Sequence, residues 1–211
     1  MDFETFASGY IDTLYHAMKK MDKAPFTALC EAMLEAYAHQ KTIFILGNGG
    51  SAATASHALC DINKGSCLEL EKKFRMLSLA DNMAMITAIA NDLDYSRIFV
   101  EQLRNYLQEG DLILAISGSG NSENVLKAVA YGRERGAKTV GISGFDGGML
   151  AKITDIALVV PIHDMQKVED GQMMVLHMLM QALRKGLGLH TPGCSPQDKT
   201  DSLTGKPRPM G

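Results

Sequence analysis

Thr42-Ile43-Phe44-Ile45-Leu46 runs straight into Gly47-Asn48-Gly49-Gly50-Ser51, and Leu112-Ile113-Leu114-Ala115-Ile116 runs straight into Ser117-Gly118-Ser119-Gly120-Asn121-Ser122. Each apolar run suits a strand buried on both faces. Each loop that follows lacks bulky side chains and leads into a helix, so free backbone N–H groups gather at a helix N-terminus, where the dipole favours an anion. The serine hydroxyls can cap those helices and donate to phosphate oxygens. Two such loops in one chain predict a cleft that holds a small phosphorylated molecule.

Outward from these loops, strands and helices alternate. The periodicity predicts helices over 3–21 and 24–39, then strands at 42–46, 75–79, 112–116, 138–142 and 156–160. Helices are expected at 51–63, 83–90, 95–108 and 122–135, with a turn at 148–152 and a last helix ending near Lys185. That order argues for an α/β fold, doubly wound, with a mostly parallel five-stranded sheet flanked by helices. Gly171 is the expected start of the last helix, which leaves Glu169 in a loop. Residues 1–188 read as one domain with an N-terminal helical extension. Residues 189–211, with Thr191-Pro192-Gly193 and Lys206-Pro207-Arg208-Pro209, read as an irregular tail.

The bulk composition narrows the function classes. With 211 residues, 46% of them hydrophobic, the chain can bury a sizeable core. A net charge of −3 offers no general attraction to nucleic acid or an anionic membrane. No apolar stretch approaches a membrane span of about 20 residues, and the N-terminus lacks signal-peptide blocks, so the cytoplasm is the expected compartment. The four cysteines (Cys30, Cys60, Cys67, Cys194) form no C-x-x-C pair and read as reduced thiols, with Cys60 expected to be buried and inert.

The first loop also reads as G-x-G-x-x-A (Gly47, Gly49, Ala52), a loose dinucleotide fingerprint. That fingerprint needs an acidic residue about 20 positions on; the second strand ends at Asp81, too far downstream. A phosphosugar pocket explains both loops, a dinucleotide only one.

Beyond the loops, His57 and Asp61 are four apart, so they share a helix face that begins at the cleft. The spacing suits metal ligation, a base oriented by a carboxylate, or an ordinary helical pair. His177 lies in Met173-Met174-Val175-Leu176-His177-Met178-Leu179-Met180, apolar on nearly all sides, which places it in a core or a subunit interface. His163 is a weaker candidate.

Gly47–Ser51 with His57 and Asp61, Asn91-Asp92, Ser117–Val125, and Glu169 with His177 together resemble the bacterial sedoheptulose 7-phosphate isomerases, members of the sugar isomerase (SIS) domain proteins. The resemblance runs from the N-terminal helices to about Lys185. It implies an aldose–ketose isomerisation through an enediol, in the route to heptose for surface polysaccharide. It implies a homotetramer with active sites at subunit interfaces. Asn48, Gly49, Gly50, Ser51, Asn91, Asp92, Ser117, Gly118, Ser119, Asn121, Ser122 and Glu169 would then meet the sugar phosphate, and Asp61 and His177 would be catalytic. It further implies zinc on His57, Asp61, Glu169 and His177, a reasonable donor set. The chain departs from the family pattern at Asp61 (usually Glu), Glu169 (usually Gln), Gly118 (usually hydroxyl-bearing) and Gly65 (usually basic). A non-catalytic SIS module that binds a phosphosugar or a protein partner is the second reading, and a nucleotide-binding regulator the third.

Overall fold

The computed structural model describes residues 2–190; the expected tail from 191 to 211, Cys194 included, lies outside the described residues. Five strands form one parallel sheet in the order β2-β1-β3-β4-β5, with β1 Thr42–Leu46, β2 Arg75–Ser78, β3 Leu112–Ser117, β4 Lys138–Gly144 and β5 Ile156–Val160. The alternation of side chains along each strand divides the core in two. Ile43, Ile45, Leu112, Leu114 and Ile116 face one side, while Phe44, Leu46, Ile113 and Ala115 face the other.

The first side is covered by α1 (Phe3–Lys20), α2 (Ala24–Ala38), α3 (Gly49–Cys60) and α8 (Met165–Gly186). The second is covered by α4 (Met83–Asp92), α5 (Val100–Tyr106), α6 (Glu123–Glu134) and α7 (Leu150–Ile153). Because α3 leaves β1 toward one face and α6 leaves β3 toward the other, the chain reverses direction of winding between β1 and β3. Open α/β sheets bind ligands in the crevice at that switch point. Both glycine- and serine-rich loops border it.

Several boundaries differ from the sequence expectation. The stretch expected as one helix over 95–108 is a 3-10 turn at Tyr95–Arg97 followed by α5. The last helix starts six residues before Gly171, at Met165, capped by Asp164, whose side chain accepts from the Lys167 backbone N–H at 3.3 Å. Glu169 is therefore helical, not in a loop. Gly171 instead permits close packing: a Cβ there would stand 2.6 Å from Val160 Cγ1 and 3.1 Å from Met18 Sδ. Cys60 is exposed rather than buried, because the buried side of α3 is Ser51, Thr54, Ala55 and Ala58.

The N-terminal helix α1 is tied to α8 by polar contacts. Tyr10 donates its hydroxyl to Asp170 at 2.5 Å, which pushes the phenol pKa up to about 12, and the Lys167 ammonium lies 4.2 Å from the Tyr10 ring centroid. Much of α1 remains uncovered, with Phe3, Phe6, Ile11 and Tyr15 exposed. Among the described residues no helix is long and apolar enough to cross a membrane.

Candidate active site at the strand C-termini

Asn48 sits at the N-cap position of α3, yet its side chain does not cap the helix. It reaches across the switch point instead. Asn48 and Asn124 exchange amide hydrogen bonds at 2.8 Å in both directions, and Tyr95 donates its hydroxyl to Asn48 Oδ1 at 3.0 Å. Asn124 is buried, and its Oδ1 also accepts from the Val125 backbone N–H at 2.9 Å. The first loop is thus locked to the start of α6. Asn124→Ala would leave half of that amide pair unsatisfied, and thermal unfolding should show a loss of about 1–3 kcal/mol.

The second loop is held by its own groups and by the segment that follows β4. Ser117 and Ser122 place their hydroxyl oxygens 3.2 Å apart, and the Gly120 N–H donates to Ser117 Oγ at 3.2 Å. Ser122 occupies the N-cap position of α6, as its sequence context suggests, but its hydroxyl turns to Ser117 rather than to the helix. Ser119 Oγ accepts from the Asn121 N–H at 3.2 Å. Asn121 Oδ1 accepts from the Met149 N–H at 3.0 Å. Ser51 is buried in the first turn of α3. A cavity of about 410 Å³ opens here, lined by Asn48, Tyr95, Ser122 and Asn124 among others.

Asn91 and Asp92, at the end of α4, are exposed and bonded to each other at 2.7 Å; the contact from this segment to the first loop comes from Tyr95. Sequence reading missed Tyr95 and gave Asn124 no role. The amide pair had a signal, since Asn124 lies just inside the helix that follows the second loop, but which partner it meets depends on the fold.

Two larger hollows, about 610 and 560 Å³, lie at the opposite end of the sheet, where His39 and Lys41 line both. Their basic groups serve backbone carbonyls: Lys41 donates to Glu109 at 2.7 Å and Arg75 to Gln40 at 3.3 Å. The convergent polar groups of the switch point make the smaller cavity the candidate site.

Two glycines of the loops are matched to long side chains of α8. A Cβ on Gly50 would stand 2.4 Å from Glu169 Oε1, so the half-buried Glu169 carboxylate lies against the first turn of α3. A Cβ on Gly118 would stand 2.5 Å from Met165 Sδ, so the thioether fills the space beside the second loop.

Two turns further along α3 and α8, the candidate catalytic side chains meet. His57 Nε2 lies 2.9 Å from His177 Nε2, and Asp61 Oδ2 lies 3.4 Å from the former and 3.8 Å from the latter. Both histidines are exposed in the single chain. Asp61 begins a π-helical turn, Asp61–Gly65, of the kind that often marks functional positions. The carbonyl of Gly65 accepts from the nearly buried Arg184 at 2.6 Å, and Arg184 also pairs with Glu69.

The donor set suits a divalent metal. Two imidazole nitrogens and one carboxylate oxygen converge within 4.8 Å of one another, which is the ligand chemistry of zinc. Glu169 stands apart from this group, eight residues before His177 and so about 12 Å along the helix axis.

The comparisons with known proteins point to one family. The SIS domain family model matches residues 8–144. A phosphoheptose isomerase of Trichlorobacter lovleyi is 36% identical over 174 residues, 82% of this chain and 88% of that protein. One from Pelobacter propionicus is 35% identical over 79% of this chain and 88% of its own length. The structure of the phosphoheptose isomerase GmhA from Neisseria gonorrhoeae superposes with a TM-score of 0.80 at 26% identity, over 87% of this chain and all of that one. The SIS fold, the paired loops and the relatives agree, and the chain belongs to the SIS domain family among the phosphoheptose isomerases.

Proposed function

We propose that this protein interconverts a ketose phosphate and its aldose, with sedoheptulose 7-phosphate as substrate, in the cytoplasm. The observation that carries the reading is the convergence of His57, Asp61 and His177 beside two loops built for an anion. The N-termini of α3 and α6, with Ser51, Ser117, Ser119 and Ser122, suit the phosphate. Asn48, locked in place by Asn124 and Tyr95, suits the sugar hydroxyls, and the exposed Asp92 at the end of α4 is proposed to meet the same sugar.

Isomerisation moves one proton between adjacent carbons and one between their oxygens. Asp61 removes the proton alpha to the carbonyl, and His177 donates to the oxygen that becomes a hydroxyl. The proton then returns to the neighbouring carbon as the second oxygen loses its own. His57, bonded to His177 and near Asp61, fixes the orientation of both. A zinc ion held by His57, Asp61 and His177 would instead supply positive charge beside the enediol oxygens, in place of the His177 proton.

A homotetramer with sites at subunit interfaces accords with two uncovered apolar features. One is the exposed row on α1; the other is Met174 and Met178, which flank His177 on the open side of α8.

The deciding assay incubates the purified protein with sedoheptulose 7-phosphate, with added zinc or with a chelator, and follows aldose formation. Turnover that chelation abolishes is expected. Saturable binding without turnover under either condition would replace the isomerase by a phosphosugar-binding module.

A further inference from the structure

Ser143, the last residue but one of β4, is buried to 1% exposure, and its hydroxyl has no hydrogen-bond partner among the described residues. Such a group is costly unless it finds a partner in some state of the protein. Its surroundings indicate which. Ser143 is the register partner of Ser117 across the β3–β4 ladder, so both side chains stand on the same face of the sheet. Above it the 144–149 turn lies directly on the second loop. Gly144 N–H donates to the Gly118 carbonyl and Leu150 N–H to the Gly120 carbonyl, each at 2.9 Å. Gly147 lies nearby, a Cβ there standing 3.9 Å from Ser143 Oγ.

Ser117 Oγ already receives the Gly120 N–H and shares a proton with Ser122 Oγ. A hydroxyl has one proton and two acceptor sites. When an anion enters the loop, Ser117 and Ser122 each turn a proton toward it, the bond between them is given up, and an acceptor site on Ser117 Oγ is released. Ser117 and Ser143 are lateral neighbours on parallel strands about 4.8 Å apart, a spacing that two hydroxyls can bridge. We infer that Ser143 is a positioning residue for the anion loop: its hydroxyl donates to Ser117 Oγ in the phosphate-bound state and holds Ser117 with its proton aimed at the ligand. The inference rests on the reading of the second loop as the phosphate site.

The test compares the parent protein with Ser143→Ala and Ser143→Thr, measuring inorganic phosphate affinity, ligand-free thermal stability, and kcat and KM with sedoheptulose 7-phosphate. For Ser143→Ala we expect a Tm equal to the parent's or about 2–4 °C higher, because an orphaned hydroxyl has been removed. Phosphate Kd and KM should each rise about three- to tenfold, the worth of one hydrogen bond, with kcat unchanged. Ser143→Thr should keep both near the parent values. Unchanged Kd and KM in Ser143→Ala would overturn the inference and leave the isomerase reading standing. A fall in Tm together with affinity would also overturn it, since that marks a packing role. A parent protein that binds no phosphate would overturn the loop assignment itself.

Discussion

His177→Ala is expected to lower kcat with sedoheptulose 7-phosphate by about 10²–10⁴-fold, the usual worth of a positioned acid or base. KM should stay within about threefold of the parent, because the phosphate is gripped at the loops, two helical turns away. The geometry gives a physical reason for the size of the effect. Two imidazole Nε2 atoms 2.9 Å apart cannot both present lone pairs without repulsion, so one carries a proton toward the other or the two share a cation. Either arrangement leaves a proton or a positive charge beside Asp61 Oδ2. Removing His177 leaves His57 with Asp61 at 3.4 Å but takes away the second nitrogen. Metal content measured alongside kcat separates two routes to the loss. A variant that keeps its zinc yet loses turnover places His177 in proton transfer; one that loses both places it among the ligands. Full turnover in His177→Ala would remove it from the chemistry altogether.

The sheet and both loops were legible in the sequence because β1 and β3 are buried on both faces and end in residues with little side chain. The His57–Asp61 pair was legible as well, since a spacing of four on one helix allows few outcomes. Their meeting with His177 was not. It depends on α3 and α8 lying side by side on the same face of the sheet, which no local pattern states. The misplaced start of α8 has a similar origin. Gly171 is the start that the sequence suggests, whereas its missing side chain serves the approach of Val160 and Met18, and the true start is set by Asp164. The burial expected of Cys60 as an inert thiol takes no account of the helical period. The buried positions 51, 54, 55 and 58 put it on the opposite side. The lateral pairing of Ser117 with Ser143 required the register of two strands separated by a whole helix.

The same β3–β4 junction supplies a small substitution with a large expected effect. Gly120→Ala places a Cβ 2.2 Å from the Gly147 carbonyl oxygen, 2.8 Å from its carbon and 3.1 Å from Gly148 Cα. These are backbone atoms, so no side-chain rotation relieves the contact. Gly120 also has φ +67°, where an alanine is strained by roughly 1–2 kcal/mol. Overpacking adds about 1–3 kcal/mol. Together these amount to a fall in Tm of about 5–15 °C for a chain of this size. Gly49→Ala is the matched control, because Gly49 has φ +52° but nothing within 4 Å of the added carbon. It meets only the backbone strain, and its Tm should fall by less than half as much. The two losses separate the strain of a left-handed residue from the contact between the second loop and the 144–149 turn. Phosphate affinity should drop in Gly120→Ala as well, since the bond from Leu150 N–H to the Gly120 carbonyl and the bond from Gly120 N–H to Ser117 Oγ shift together. Equal losses of Tm in the two variants would mean that the turn yields freely and does not brace the anion loop.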